Sequence, residues 1–222
     1  MKGLLVKDLH ILLLQKRFLG MVLIIAAIMV MTMEDPTFLI SYITVLCGIV
    51  TVGTISYDDF DNGNTFLFTL PITRKLYVLE KYVLLVGVSG FAWLVSAVVS
   101  IVISMGRTDG FIVEQGIAVA VLTFVVCMLL EFIMVPIQLK YGGEKSRVVM
   151  LAMAGIVVVM GYFLDFLSGK LEDIFAINVE EMLAAAGAIG LGGWVVIGVC
   201  AGVIVMLISM AVSKRIMEKK QF

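Results

Sequence analysis

His10 is the single histidine of this 222-residue chain, and no cysteine or carboxylate stands at ligand spacing from it on a common helix face. A metal site needs three or four convergent ligands, so no metal centre is expected. A serine or cysteine nucleophile needs a positioned base, and His10 lies near one end of the chain, away from any cleft between spans. No catalytic residue is assigned. The run Gly142-Gly143-Glu144-Lys145-Ser146 has the composition of a phosphate loop. It lacks the Gly-Lys-Ser order, the earlier glycine and the strand that would aim backbone N–H groups at phosphate. No cofactor or nucleotide is therefore expected to bind this chain.

Glu131 is the residue whose chemistry demands explanation. It lies eight positions before Leu139, inside an apolar run, or roughly 12 Å of helix rise from that run's end. A carboxylate in lipid costs several kcal/mol, so Glu131 must face other helices or water, or carry a proton. A gate, a polar point along a substrate path, a coupling contact and a hydrogen-bonded structural carboxyl all remain open for it. Pro136, five residues on, removes a backbone donor and kinks the helix, as a hinge or as a fixed bend.

The elements that carry these residues are set by composition. Apolar residues make up 62% of the chain, charged residues 15%, and mean hydropathy is +1.14. This composition excludes a soluble domain and specifies an all-α integral membrane protein. About 20 apolar residues are needed to cross the hydrocarbon as helix. The sequence predicts six transmembrane helices, Phe18 to Met33, Phe38 to Tyr57, Tyr82 to Met105, Gly116 to Leu139, Val148 to Leu167 and Leu191 to Val212. They fill a single transmembrane domain over 1–222. Cys47, Cys127 and Cys200 each lie in an apolar run and read as small hydrophobes.

Charge sets the orientation. Of sixteen Lys and Arg residues, fourteen lie before span one, between spans two and three, between four and five, or after six. Only Arg107 and Lys170 occupy the other gaps. Both termini and the second and fourth gaps are thus expected on the cytoplasmic side. No feature points to nucleic acid.

Residues 1–17 read as an interfacial amphipathic helix, with Leu5, Leu9 and Leu12 on one face and Lys7 and His10 elsewhere. The inner loop 58–80 opens with an Asp/Asn/Gly cluster that signals a turn or helix start, followed by an apolar stretch ending at Pro71. A short helix at the membrane face fits it, and Thr73 is placed to cap a helix running into span three. Residues 168–190 form an acidic and apolar extracellular segment before the last span. Small residues recur at helical spacing at Ser96 and Ser100, and at Gly198 and Gly202, where helix backbones can approach closely. Packing within one subunit, a dimer contact and a path-lining face are all compatible with these stripes.

Three segments carry a resemblance. They are Leu4-Leu5-Val6-Lys7-Asp8-Leu9, then Ser56-Tyr57-Asp58-Asp59 with Leu70-Pro71-Ile72-Thr73-Arg74-Lys75 and Glu80-Lys81-Tyr82, and Pro136 with the stretch from Lys140 to Arg147. In these the chain resembles the permease subunits of type-2 ATP-binding-cassette exporters of Gram-positive bacteria, including those that export phenol-soluble modulin peptides. The resemblance implies a permease of the bacterial plasma membrane that pairs with a second permease, as homodimer or heterodimer. It further implies separate ATPase subunits, which hold ATP and Mg, and a coupling helix in the loop between spans two and three. Asp58, Asp59, Phe60, Asp61, Thr65, Phe66, Phe68, Leu70 and Pro71 then become the ATPase-coupling residues, with Phe60, Phe66 and Phe68 as anchors. Insertion of these phenylalanines among lipid tails or neighbouring helices is the competing reading.

The function expected from the sequence is an ATP-driven exporter's membrane subunit, not itself an enzyme. Its cargo would be an amphipathic or hydrophobic peptide, such as a toxin or antimicrobial peptide, or a lipid-like molecule, because few ions line the path. An ATP-independent secondary transporter or channel is the alternative; it requires paired ionisable residues at mid-membrane, where the sequence offers mainly Glu131.

Overall fold

A chain in hydrocarbon must satisfy its backbone polar groups internally, and the described residues do so as helices without any strand. The structure, a computed structural model, describes residues 2–33, 36–59, 63–67, 69, 71–107, 112–142 and 190–220. The helices are α1 (Lys2–Leu14), α2 (Lys16–Thr32), α3 (Phe38–Asp59), α4 (Gly63–Leu67), α5 (Arg74–Arg107), α6 (Val113–Gly142) and α7 (Leu191–Lys219).

Four of them, α3, α5, α6 and α7, are long and apolar enough to cross a membrane. The predicted first span corresponds to α2, whose 17 residues rise only about 25 Å. It continues from α1 through a 62° bend at Gln15. The predicted fifth span, and the outer segment as far as residue 189, lie outside the described residues.

Thr73 caps α5 as its sequence position implied, its Oγ1 accepting from the Leu76 amide at 3.3 Å. From there α5 runs 34 residues without interruption, about 51 Å, well beyond the hydrocarbon thickness. It packs extensively on α3. The larger core joins Val52 and Ile55 of α3, Tyr77, Tyr82 and Leu85 of α5, and Phe132, Val135 and Leu139 of α6. A smaller cluster of Ile40, Ala97 and Ala120 lies toward the other end, beside Trp93, whose indole donates to the Ala120 carbonyl at 2.9 Å.

The two ends differ in charge. At one end α1 meets α3 and α5, and the end of α7 meets the end of α3 and the start of α5, gathering Lys7, Arg74, Lys75, Lys81 and Lys220 there. Arg74 donates to the carbonyls of Met217 and Glu218 at 3.1 and 2.7 Å, satisfying acceptors that the end of α7 leaves open. At the opposite end Arg107 does the same for α2, donating to Val30 and Met33 at 2.7 and 3.1 Å.

Pro136 sits inside α6 and cannot donate to the Phe132 carbonyl, its partner one turn back. The Ser209 hydroxyl of α7 donates to that carbonyl instead. Tyr82 Oη then contacts Ser209 and Ser213 Oγ at 2.6 and 2.9 Å, so one polar knot ties α5, α6 and α7. Replacing Ser209 with alanine frees a carbonyl that lipid cannot satisfy. Thermal unfolding in detergent is expected to show a loss of about 1–2 kcal/mol, with Pro136→Ala/Ser209→Ala recovering most of it because the helix then closes its own bond.

Candidate functional site

The densest chemistry lies at the basic end, where a lysine is taken almost wholly out of water. Lys81, 3% exposed, points from α5 toward α1 and α3. Its three N–H groups meet three acceptors: an Asp8 carboxylate oxygen, Asp58 Oδ2 at 2.7 Å and Thr54 Oγ1 at 3.2 Å. The Tyr77 ring lies beneath it, 5.1 Å from the ammonium. Tyr77 Oη donates to the same Asp58 oxygen at 3.0 Å. Lys7 completes the cluster, bonding to Asp58 Oδ1 and lying 3.0 Å from Asp8 Oδ1. Burial works against the Lys7 charge, but the hydrogen bond and charge of Asp58, with those of Asp8, outweigh it and hold its pKa above the ordinary lysine value. Glu80 adds a third carboxyl, fully buried, 4.0 Å from Lys81.

This cluster sets the face of α1. Leu4, Asp8 and Leu12 turn inward, while Leu9 is exposed. The sequence expectation of a Leu5, Leu9 and Leu12 face is displaced because the Lys81 ammonium draws Asp8 into the bundle.

The predicted coupling residues divide in their placement. Asp58 is buried and bound by Lys7, Lys81 and Tyr77. Asp59 is half-buried and meets Lys220 at 3.0 Å. Thr65 lies in α4, and the next two residues diverge: Leu67 enters the main core, while Phe66 is 71% exposed. Pro71 is exposed. Phe60, Asp61, Phe68 and Leu70 lie outside the described residues.

Two glycines hold this loop close. A Cβ on Gly63 would stand 2.8 Å from the Asp58 carbonyl oxygen. Gly142 ends α6 at φ +72°, where a Cβ would be 2.7 Å from Asp59 Oδ2.

Glu131 lies deeper, 1% exposed, between α3, α5 and α6. Its Oε2 accepts from Ser89 Oγ at 2.8 Å. Gly48 of α3 faces the same carboxyl, and any Cβ there would overlap it. The acid therefore occupies space vacated by a missing side chain. One turn or two nearer the basic end, Gln138 bonds to Ser56 across the same helix pair. Ser96 and Ser100 are buried inside the chain, with Ser100 lining a cleft of about 190 Å³ beside Ile40 and Val119. Gly198 and Gly202 face Val125 of α6 at ordinary contact distance.

A family profile described as ABC-2 family transporter protein matches residues 3–218. The chain belongs to the ABC-2 transporter family. It is thus a multi-pass permease, a transport component and not itself catalytic, of a family that works in the plasma membrane with an ATPase partner. Comparison with curated proteins and with solved structures gave no match.

Asp8, Thr54, Tyr77, Glu80 and Lys81 escaped assignment from the sequence. Asp8, Glu80 and Lys81 stand within the segments that carry the family resemblance, which was the one signal available. Removing Lys81 leaves buried Asp8 and Asp58 with the single ammonium of Lys7 between them, so Lys81→Ala is expected to cost about 3–5 kcal/mol in detergent unfolding, while the combined Asp8→Asn/Lys81→Met loses much less. Equal losses in both would show that the cluster's charges do not compensate one another. Gly48→Ala is expected to destabilise by about 1–3 kcal/mol through overpacking, and the added change Glu131→Ala to relieve it.

Proposed function

We propose that this ABC-2 permease forms, with a second permease, the translocation path of an ATP-driven exporter whose cargo is an amphipathic or hydrophobic peptide. The basic end faces the cytoplasm, with both termini, and six spans complete the fold. Separate ATPase subunits, carrying ATP and Mg, dock on the loop between α3 and α5. The observation that carries this reading is the arrangement of that loop, fixed at its root and open at its tip. Asp58 anchors it to α1 and α5 through Lys7 and Lys81, Leu67 enters the core, and Phe66 projects outward.

An exposed aromatic on a rigid base suits a groove on a soluble partner, because buried aromatics dominate interface energies. Asp58 in this reading is a positioning residue: it does not touch the ATPase but makes α1, α3 and α5 move together when the tip is pushed. The peptide cargo follows from the resemblance that the sequence bears to the permeases of phenol-soluble modulin exporters. Its support is the sequence of the loop, Leu70-Pro71-Ile72-Thr73-Arg74-Lys75, and the apolar character of the spans. The outward apolar face of α7, with Val196, Val203, Ile204 and Leu207 exposed, is available to lipid or to the second permease.

Phe66→Ala is expected to leave the chain's thermal stability unchanged while lowering co-purification with its ATPase and cargo export about tenfold or more. Complex and export both at the native level would remove the loop from the interface. Uphill cargo movement in liposomes by the chain alone, without nucleotide, would instead establish the ATP-independent transporter.

A further inference from the structure

We infer that the cleft between α6 and α7 at the basic end is a binding site for one anionic phospholipid, with an acyl chain in the cleft and the phosphate on Lys140 and Arg215. The cleft is an open groove of about 420 Å³ lined by Phe132, Ile133, Pro136 and Ile137 of α6 and by Val205, Ile208, Val212 and Ile216 of α7. This volume lies at the low end of small-molecule sites, enough for a single chain and too small for a folded peptide.

The walls accept only an apolar occupant. Away from the mouth, Ser209 carries the one hydroxyl on the lining, and it is already committed to the Phe132 carbonyl and to Tyr82. Pro136 itself lines the cleft on this side of α6.

The mouth has the opposite character. Lys140 and Tyr141 line its end, both exposed, with the ammonium 5.0 Å from the ring centroid. Arg215 is exposed and, though not itself on the lining, falls three residues after Val212 and directly before Ile216, the last lining residue of α7. Among the described residues neither cation forms an ion pair, although Arg74, Lys75, Lys81 and Lys220 nearby all have carboxylate or carbonyl partners. A basic mouth above an apolar slot, with a tyrosine at headgroup level, is the arrangement that selects an anionic headgroup between helices. Zwitterionic lipid gains nothing from the two cations. The leaflet is the inner one if the orientation proposed above holds; the site itself does not depend on it.

The test is native mass spectrometry of the delipidated full-length chain titrated with phosphatidylglycerol or phosphatidylcholine. The native chain is expected to retain one phosphatidylglycerol more tightly than phosphatidylcholine. Lys140→Gln/Arg215→Gln, both at exposed positions, should weaken phosphatidylglycerol retention about fivefold per charge removed and leave phosphatidylcholine unchanged. Ile208→Trp, which fills the slot, should reduce retention of both lipids, with circular dichroism melting confirming that the fold is intact. Equal retention of the two lipids by the native chain, or an unchanged preference in the double variant, would identify annular lipid only and overturn the site. Displacement of phosphatidylglycerol by an amphipathic peptide with equal ease from the native chain and the double variant would assign the cleft to cargo instead.

Discussion

A lysine ammonium removed from water costs several kcal/mol unless each of its protons finds an acceptor and its charge finds an opposite charge. Lys81 meets both conditions by drawing on two other helices, Asp8 from α1 and Thr54 and Asp58 from α3. Much of the basic end follows from this constraint. It decides which face of α1 turns inward, it binds the last turn of α3 to the first turns of α5, and it fixes the root of the intervening loop. Because breaking one partner leaves another charge stranded, the cluster acts as a unit, and the three helices share its cohesion.

Within the hydrocarbon the same logic works with neutral groups. Lipid tails are as apolar as leucine, so apolar side chains alone do not specify which helix faces lie together. Several polar groups that the sequence places in the spans are instead met by a particular neighbour. Ser209 of α7 answers the carbonyl that Pro136 leaves open in α6. Ser89 of α5 answers Glu131 of α6, and Gly48 of α3 leaves the volume that the carboxyl fills. Gln138 meets Ser56 one level nearer the basic end. These contacts tie α3, α5, α6 and α7 together at a proline and a buried acid that lie five residues apart in α6.

Hydropathy made the spans legible. The expected run Phe38 to Tyr57 is α3 within two residues of its end, and the runs beginning near Tyr82, Gly116 and Leu191 fall inside α5, α6 and α7. Thr73 was legible as a cap because capping is a local event, read over three residues. The charge cluster was not. Asp8 and Lys81 are 73 positions apart, and each taken alone reads as a solvated residue at the interface. Asp58 looked like part of an outward acidic turn because nothing in the linear order shows that Lys7 and Tyr77 reach it from either side. Glu131 stood out as costly, but its solution depends on Gly48, whose significance is the absence of a side chain and therefore invisible to any pattern of polarity.

The long α5 turns these local contacts into a frame. At its basic end, Lys81 holds α1 through Asp8; at its other end, 26 residues later by sequence position, Arg107 holds the C-terminal carbonyls of α2. Since α1 and α2 are continuous through the bend at Gln15, the three helices close a mechanical circuit. A load applied near Asp58 at the loop root cannot tilt α5 without either straining that bend or moving α1 and α2 with it. Packed helices respond to such a load by shifting as bodies between discrete arrangements, not by deforming smoothly. The 62° joint is the one place in the circuit where the helix is already interrupted, so it is where a change of angle costs the fewest hydrogen bonds. In the exporter proposed above, α5 and this joint serve as a strut and a hinge between the charged end and the opposite one.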